Sequence, residues 1–165
     1  MDQAQKEATF LELVKQNQPI LHKVCFVYAC NRQEREDLMQ DIILQLWKSF
    51  PGFSGRSAFS TWMYRVALNT AITQIKKRKP TIAIQSVSES QVDKESLMDM
   101  SEEIQILYRA IARLKKLEKA LVLLWLEEKS YHEIAETTGI TVKNVSVQLV
   151  RIRKKLAQII ANIDK

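Results

Sequence analysis

Asn144 and Gln148 stand four residues apart, and each carries an amide able to pair bidentately with the edge of an adenine. On a helix they would share one face. Lys143, Arg151, Arg153, Lys154 and Lys155 surround them, as cations suited to phosphate oxygens, and Val147 lies between. A second group occurs earlier. Trp62, Arg65, Asn69, Thr73 and Lys76 recur at steps of 3, 4, 4 and 3 and run into Lys76–Lys77–Arg78–Lys79. A ring beside cations suits a base turned out of its stack while its phosphates are held. The other reading puts Trp62 in a core and makes the basic run a helix C-terminus that complements the dipole. The loop ahead of it contains Ser54, Gly55 and Arg56. In a third group, Asp37, Gln40, Asp41, Leu44 and Lys48 share an arc with Trp47 on its border. Leu44 in the middle of that arc is either one exposed apolar residue on a solvated face or the centre of a docking surface. His22, His132, Cys25 and Cys30 make no nucleophile–base or metal-ligand pattern. No metal, no cofactor and no enzymatic activity is therefore expected. The two cysteines lie in one apolar stretch and read as reduced core residues.

The elements that position these groups are helical. The 165 residues include only 3 Gly and 3 Pro, too few for a many-stranded sandwich or barrel. Apolar residues recur at helical spacing and no long alternating run occurs. The expected class is all-α, with helices over about residues 5–30, 34–50, 57–79, 103–113, 117–127, 130–138 and 141–162. Residues 130–145 follow a helix-turn-helix pattern. Ser130 with Glu133 can form a capping box, Ala135 allows close crossing, Gly139 suits a left-handed helix end, and Thr141 can cap the next helix. In that helix Val142, Val145, Leu149, Ile152, Leu156, Ile159 and Ile163 form one apolar stripe. Asn144 and Gln148 would then meet base edges in a major groove.

The serine-rich segment 81–101 follows Pro80 and reads as a flexible linker. It divides the chain into small helical domains over 1–80 and 102–165. The net charge of +6 is unevenly placed: residues 51–80 hold 6 basic and no acidic groups, 81–106 hold 1 basic and 6 acidic, and 107–165 hold 12 basic and 6 acidic. Two basic blocks separated by an acidic one suggest two sites for one polyanion. No run of eighteen apolar residues is present and Met1–Phe10 lacks a basic-then-apolar start, so a cytoplasmic protein without a membrane span is expected.

In their order along the chain the three groups resemble a bacterial RNA polymerase sigma factor of the extracytoplasmic-function type. Asp37–Trp47 looks like the family's polymerase-binding helix, Phe59–Asn69 like its −10 segment, and Ser130–Leu156 like its −35-binding helix-turn-helix. The resemblance covers roughly residues 8–80 and 103–160. It implies that Asp37, Gln40, Asp41, Leu44, Trp47 and Lys48 dock on the clamp coiled coil of core RNA polymerase. It implies that Ser54, Gly55, Arg56, Trp62, Arg65, Asn69, Lys76 and Lys77 hold the melted −10 strand. Lys119, Lys143, Asn144, Val147, Gln148, Arg151 and Lys154 would meet the −35 duplex. The polymerase flap region and an anti-sigma factor are further partners that the family implies. Ser146 and Gln148 stand where the family often has basic residues, Lys119 stands at a frequent Arg, and Lys115 at a frequent Pro. A stand-alone helix-turn-helix regulator is the alternative, and it would bind duplex DNA tightly without polymerase.

Overall fold

The computed structural model describes residues 2–77 and 100–163, and among them the fold is all-α with eight α-helices. The expected linker 81–101 lies outside the described residues except at Met100 and Ser101. Contacts divide the chain into two compact units, one of residues 1–29 and 33–79, the other of 30–32 and 80–165.

The first unit contains α1 (Gln3–Gln16), α2 (Gln18–Tyr28), α3 (Arg32–Ser49), a 3-10 turn (Phe50–Gly52) and α4 (Phe59–Lys77). Asp2 and Gln5 cap α1 reciprocally. The single helix expected over 5–30 is in fact two. The chain breaks at Asn17, whose φ and ψ are −112° and 16°. Pro19 has no N–H to continue α1, yet it fits the first turn of α2. The Asn17 amide donates to the Leu13 carbonyl at 2.8 Å, which satisfies one acceptor left open by the break.

Leu21, Val24, Cys25 and Tyr28 of α2, Leu38, Ile42 and Leu46 of α3, and Met63, Tyr64, Ala67, Leu68 and Ala71 of α4 are buried together. Ala67 and Ala71 have no accessible surface, and their small size lets α2 lie close along α4. Neither cysteine is in a disulfide. Burial pushes the Cys25 thiol up to about 12, against the opposing pull of Arg35. It therefore stays protonated and unreactive at neutral pH. Cys30 is half-buried.

The second unit contains α5 (Glu102–Ala112), α6 (Lys116–Leu126), α7 (Tyr131–Thr138) and α8 (Val142–Ile163). Helix α8 packs on the other three. Its Val145, Leu149, Ile152 and Leu156 are buried with Ile111, Leu121, Leu124 and Ile134, while Val142, Ile159 and Ile163 at the ends of the expected stripe are only half-buried. The Lys155 ammonium meets the Glu118 carboxylate at 3.0 Å and ties α8 to α6. Burial works to raise the Glu118 pKa, but the Lys115 N–H and the Lys155 ammonium outweigh it and hold the carboxyl below its usual value. A depressed folded-state pKa stabilises above the unfolded value, and the contribution disappears as pH falls through the folded value. Lys155 is 40% exposed, so solvent screens the pair. Lys155→Met should cost no more than about 1 kcal/mol at pH 7 and less in acid, as thermal unfolding at the two pH values would measure.

Candidate nucleic-acid and partner interface

The helix-turn-helix is built by local hydrogen bonds. The Ser130 hydroxyl accepts the Glu133 N–H at 3.1 Å and donates to the Glu133 carboxylate at 3.1 Å. The serine half of the expected capping box thus forms, with the Glu133 carboxylate turned onto the serine hydroxyl. Helix α7 ends at Gly139, whose φ is +82° and whose N–H reaches the Ala135 carbonyl at 2.8 Å. Thr141 then caps α8 by accepting the Asn144 N–H at 3.1 Å. A Cβ at residue 139 would touch nothing within 4 Å, so only the backbone conformation resists substitution. Gly139→Ala should destabilise the second unit by about 1–2 kcal/mol, the cost of left-handed backbone for an L-residue. Chemical unfolding would measure it.

Along α8, Lys143, Asn144, Val147, Arg151 and Lys154 are exposed. Gln148 is half-buried, so it sits on the shoulder of the helix and Asn144 is the better-presented member of the amide pair. Two of the cations assigned to phosphates have partners in the protein. The Arg153 guanidinium lies 5.4 Å from the Trp125 ring centre, and Lys155 holds Glu118. Lys119 is on α6 and half-buried. Val150, 47% exposed, escaped the sequence reading. Its signal was an aliphatic residue off the apolar stripe in the middle of a charged face.

In the first unit Arg65, Asn69 and Thr73 form an exposed row on α4. Trp62 begins that row but is half-buried. Its ring packs on Phe53 at 5.1 Å, Phe59 at 5.3 Å and Phe50 at 6.4 Å between centroids. The ring is therefore wedged into an aromatic cluster and still reaches the surface. Ser54, Gly55 and Arg56 are exposed in the loop beside it, where Gly55 has φ +76°. Lys76 and Lys77 continue α4 in backbone, and their side chains lie outside the described residues.

On α3, Asp37, Gln40, Leu44 and Lys48 are exposed, and Asp41 and Trp47 are half-buried. Leu44 does not stand alone. A groove of about 580 Å3 between α1 and α3 is lined by Glu7, Phe10, Leu11, Gln40, Ile43, Leu44 and Trp47. Phe10 floors it, 5.0 Å from the Trp47 ring, while its neighbour Leu11 is 57% exposed. The part of α1 in this surface was missed. Adjacent Phe10 and Leu11 point to different sides of one helix, so burying one exposes the other.

The description for sigma-70 region 2 matches residues 13–81, and that for sigma-70 region 4 matches 104–156. The sigma-E factor of Escherichia coli K12 is 30% identical over 135 residues, which cover 73% of this chain and 70% of that protein. The chain belongs to the sigma-70 family, as an extracytoplasmic-function sigma factor. A further relative, the sigma factor SigW of Bacillus subtilis, is 25% identical over 89% of this chain and 86% of its own length. Two solved structures share the fold of this sigma factor. The sigma factor RpoE of Bartonella quintana, crystallised with the anti-sigma factor NepR, has a TM-score of 0.72 at 17% identity, over 95% of this chain and 99% of that one. CnrH, in complex with the cytosolic domain of CnrY, has a TM-score of 0.67 at 20% identity, over 96% and 94%. No helix among the described residues is long and apolar enough to cross a membrane.

Proposed function

We propose that the α1/α3 surface docks on the clamp coiled coil of core RNA polymerase through Asp37, Gln40, Asp41, Leu44, Trp47 and Lys48. The loop residues Ser54, Gly55 and Arg56, with Trp62, Arg65, Asn69, Lys76 and Lys77, hold the opened −10 strand. Helix α8 enters the −35 major groove with Lys143, Asn144, Val147, Gln148, Arg151 and Lys154, and Lys119 adds a phosphate contact. The second unit also meets the polymerase flap. The protein works in the cytoplasm, on the nucleoid once bound to polymerase, as a specificity subunit with no reaction of its own. An anti-sigma factor would act by covering these surfaces.

The observation that carries this reading is the coexistence in one chain of a capped helix-turn-helix and an aromatic–cationic row beside an exposed apolar groove. A stand-alone regulator needs only the first. Each DNA contact can be weak, because joining them raises the effective concentration of the second once the first has formed. The test is transcription in vitro: added to bacterial core polymerase with genomic DNA, the protein should produce start sites that share −35 and −10 sequences. Start sites unchanged by its addition would reject the reading. Within the −35 contact the residues should separate by role. Asn144→Ala should relax base preference at one position at a cost of about 1–3 kcal/mol, and Lys154→Ala should weaken all sequences alike and lower the salt slope by about one. Binding titrations at several salt concentrations would read both.

A further inference from the structure

Lys143, Val147, Val150 and Lys154 repeat the 4, 3, 4 steps of the buried stripe Val145, Leu149, Ile152 and Leu156, displaced by two residues. Two residues are rather more than half a helical turn, so this second stripe runs along the side of α8 away from the core. All four side chains are exposed, and the two in the middle are valines, 41% and 47% accessible. Scattered exposed aliphatic residues need no explanation. Two adjacent ones at the centre of a face, bracketed by lysines and flanked by Arg151, are different. Valine is also a mediocre helix former, so helix propensity gives no reason for it there. The charges around the valines fit a polyanion, and the partner must offer apolar spots between its phosphates. In the major groove that spot is the C5-methyl group of thymine.

We propose that Val147 and Val150 read thymine methyl groups in the −35 duplex, with Lys143 and Lys154 on the phosphates to either side. The proposal rests on the reading that α8 enters the major groove. It also fits Ser146 and half-buried Gln148 at positions where the family often has basic residues. Readout at the centre of this face is by apolar contact, and the amide of Asn144 adds hydrogen bonding at its edge.

Deoxyuridine pairs as thymidine does but lacks the methyl group, so it isolates the proposed contact with the protein unaltered. Holoenzyme assembled from the full chain and core polymerase is offered a promoter library randomised over the −35 segment. The library is made once with thymidine and once with deoxyuridine in that segment, and bound DNA is sequenced. Thymines should be enriched at two positions in the first library, and that enrichment should vanish in the second. Each methyl removed from the preferred duplex should weaken binding about threefold to fivefold, the loss that accompanies one buried methylene. The double variant Val147→Ser, Val150→Ser should bind both forms of that duplex equally. The same enrichment in both libraries overturns the proposal and leaves α8 a DNA-reading helix. No −35 enrichment in either library overturns the proposal and the groove reading together. A double variant that retains discrimination between the two duplexes, or that loses core polymerase and not DNA, overturns it as well.

Discussion

Leu44→Arg should lower affinity for core RNA polymerase by about 30-fold or more, with the fold intact. Leu44 is 47% exposed and lies over the groove floored by Phe10 and Trp47. An apolar anchor at the centre of an interface is worth about 2 kcal/mol or more, which is about 30-fold in affinity. Arginine removes that contact and would also have to bury its charge in an apolar site. Adding Asp41→Arg should abolish association. Because Leu44 faces away from the core, circular dichroism should show unchanged helix content and thermal midpoint. Titration of labelled protein with core polymerase would measure the loss, and unchanged affinity in both variants would remove this surface from the docking site.

Trp62→Ala should reduce the fraction of open promoter complexes about tenfold while changing closed-complex binding far less. Stacking of one base on an aromatic ring contributes about 1–3 kcal/mol, and turning a base out of the duplex costs a few kcal/mol that such contacts must offset. Permanganate reactivity of −10 thymines reports opening, and gel mobility at low temperature reports the closed complex. Trp62 also packs on Phe50, Phe53 and Phe59, so its removal loosens the aromatic cluster. The double variant Arg65→Ala, Asn69→Ala separates the two effects. Both side chains are exposed on the same row, so their loss should impair opening without lowering the thermal midpoint. Normal opening in both variants would show that α4 does not hold the melted strand.

Much of this arrangement is legible in the residues. The helix-turn-helix could be read because its signals are local: Ser130, Gly139 and Thr141 each act on backbone within four residues, and each does so in the structure. The exposure of Leu44 on α3 could be read because a leucine among acids departs from a simple two-sided helix. Contacts between segments distant in sequence were harder to see. Periodicity within α3 does not reveal that Phe10 and Leu11 of α1 complete the groove around Leu44. Spacing along α4 does not reveal that Phe50 and Phe53 close on Trp62. The break at Asn17 was hidden for another reason, since apolar spacing continues from α1 into α2 and only Pro19 interrupts it. Charge alone also does not distinguish Lys154, exposed on the outer face, from Lys155, which meets Glu118.

Footprinting of one promoter with the protein alone, core polymerase alone and both together puts the whole scheme to the test. Protection at −35 and −10, with permanganate-reactive thymines at −10, should occur only when both are present. Equal protection by the protein alone, or an identical opened region with core polymerase alone, would contradict it.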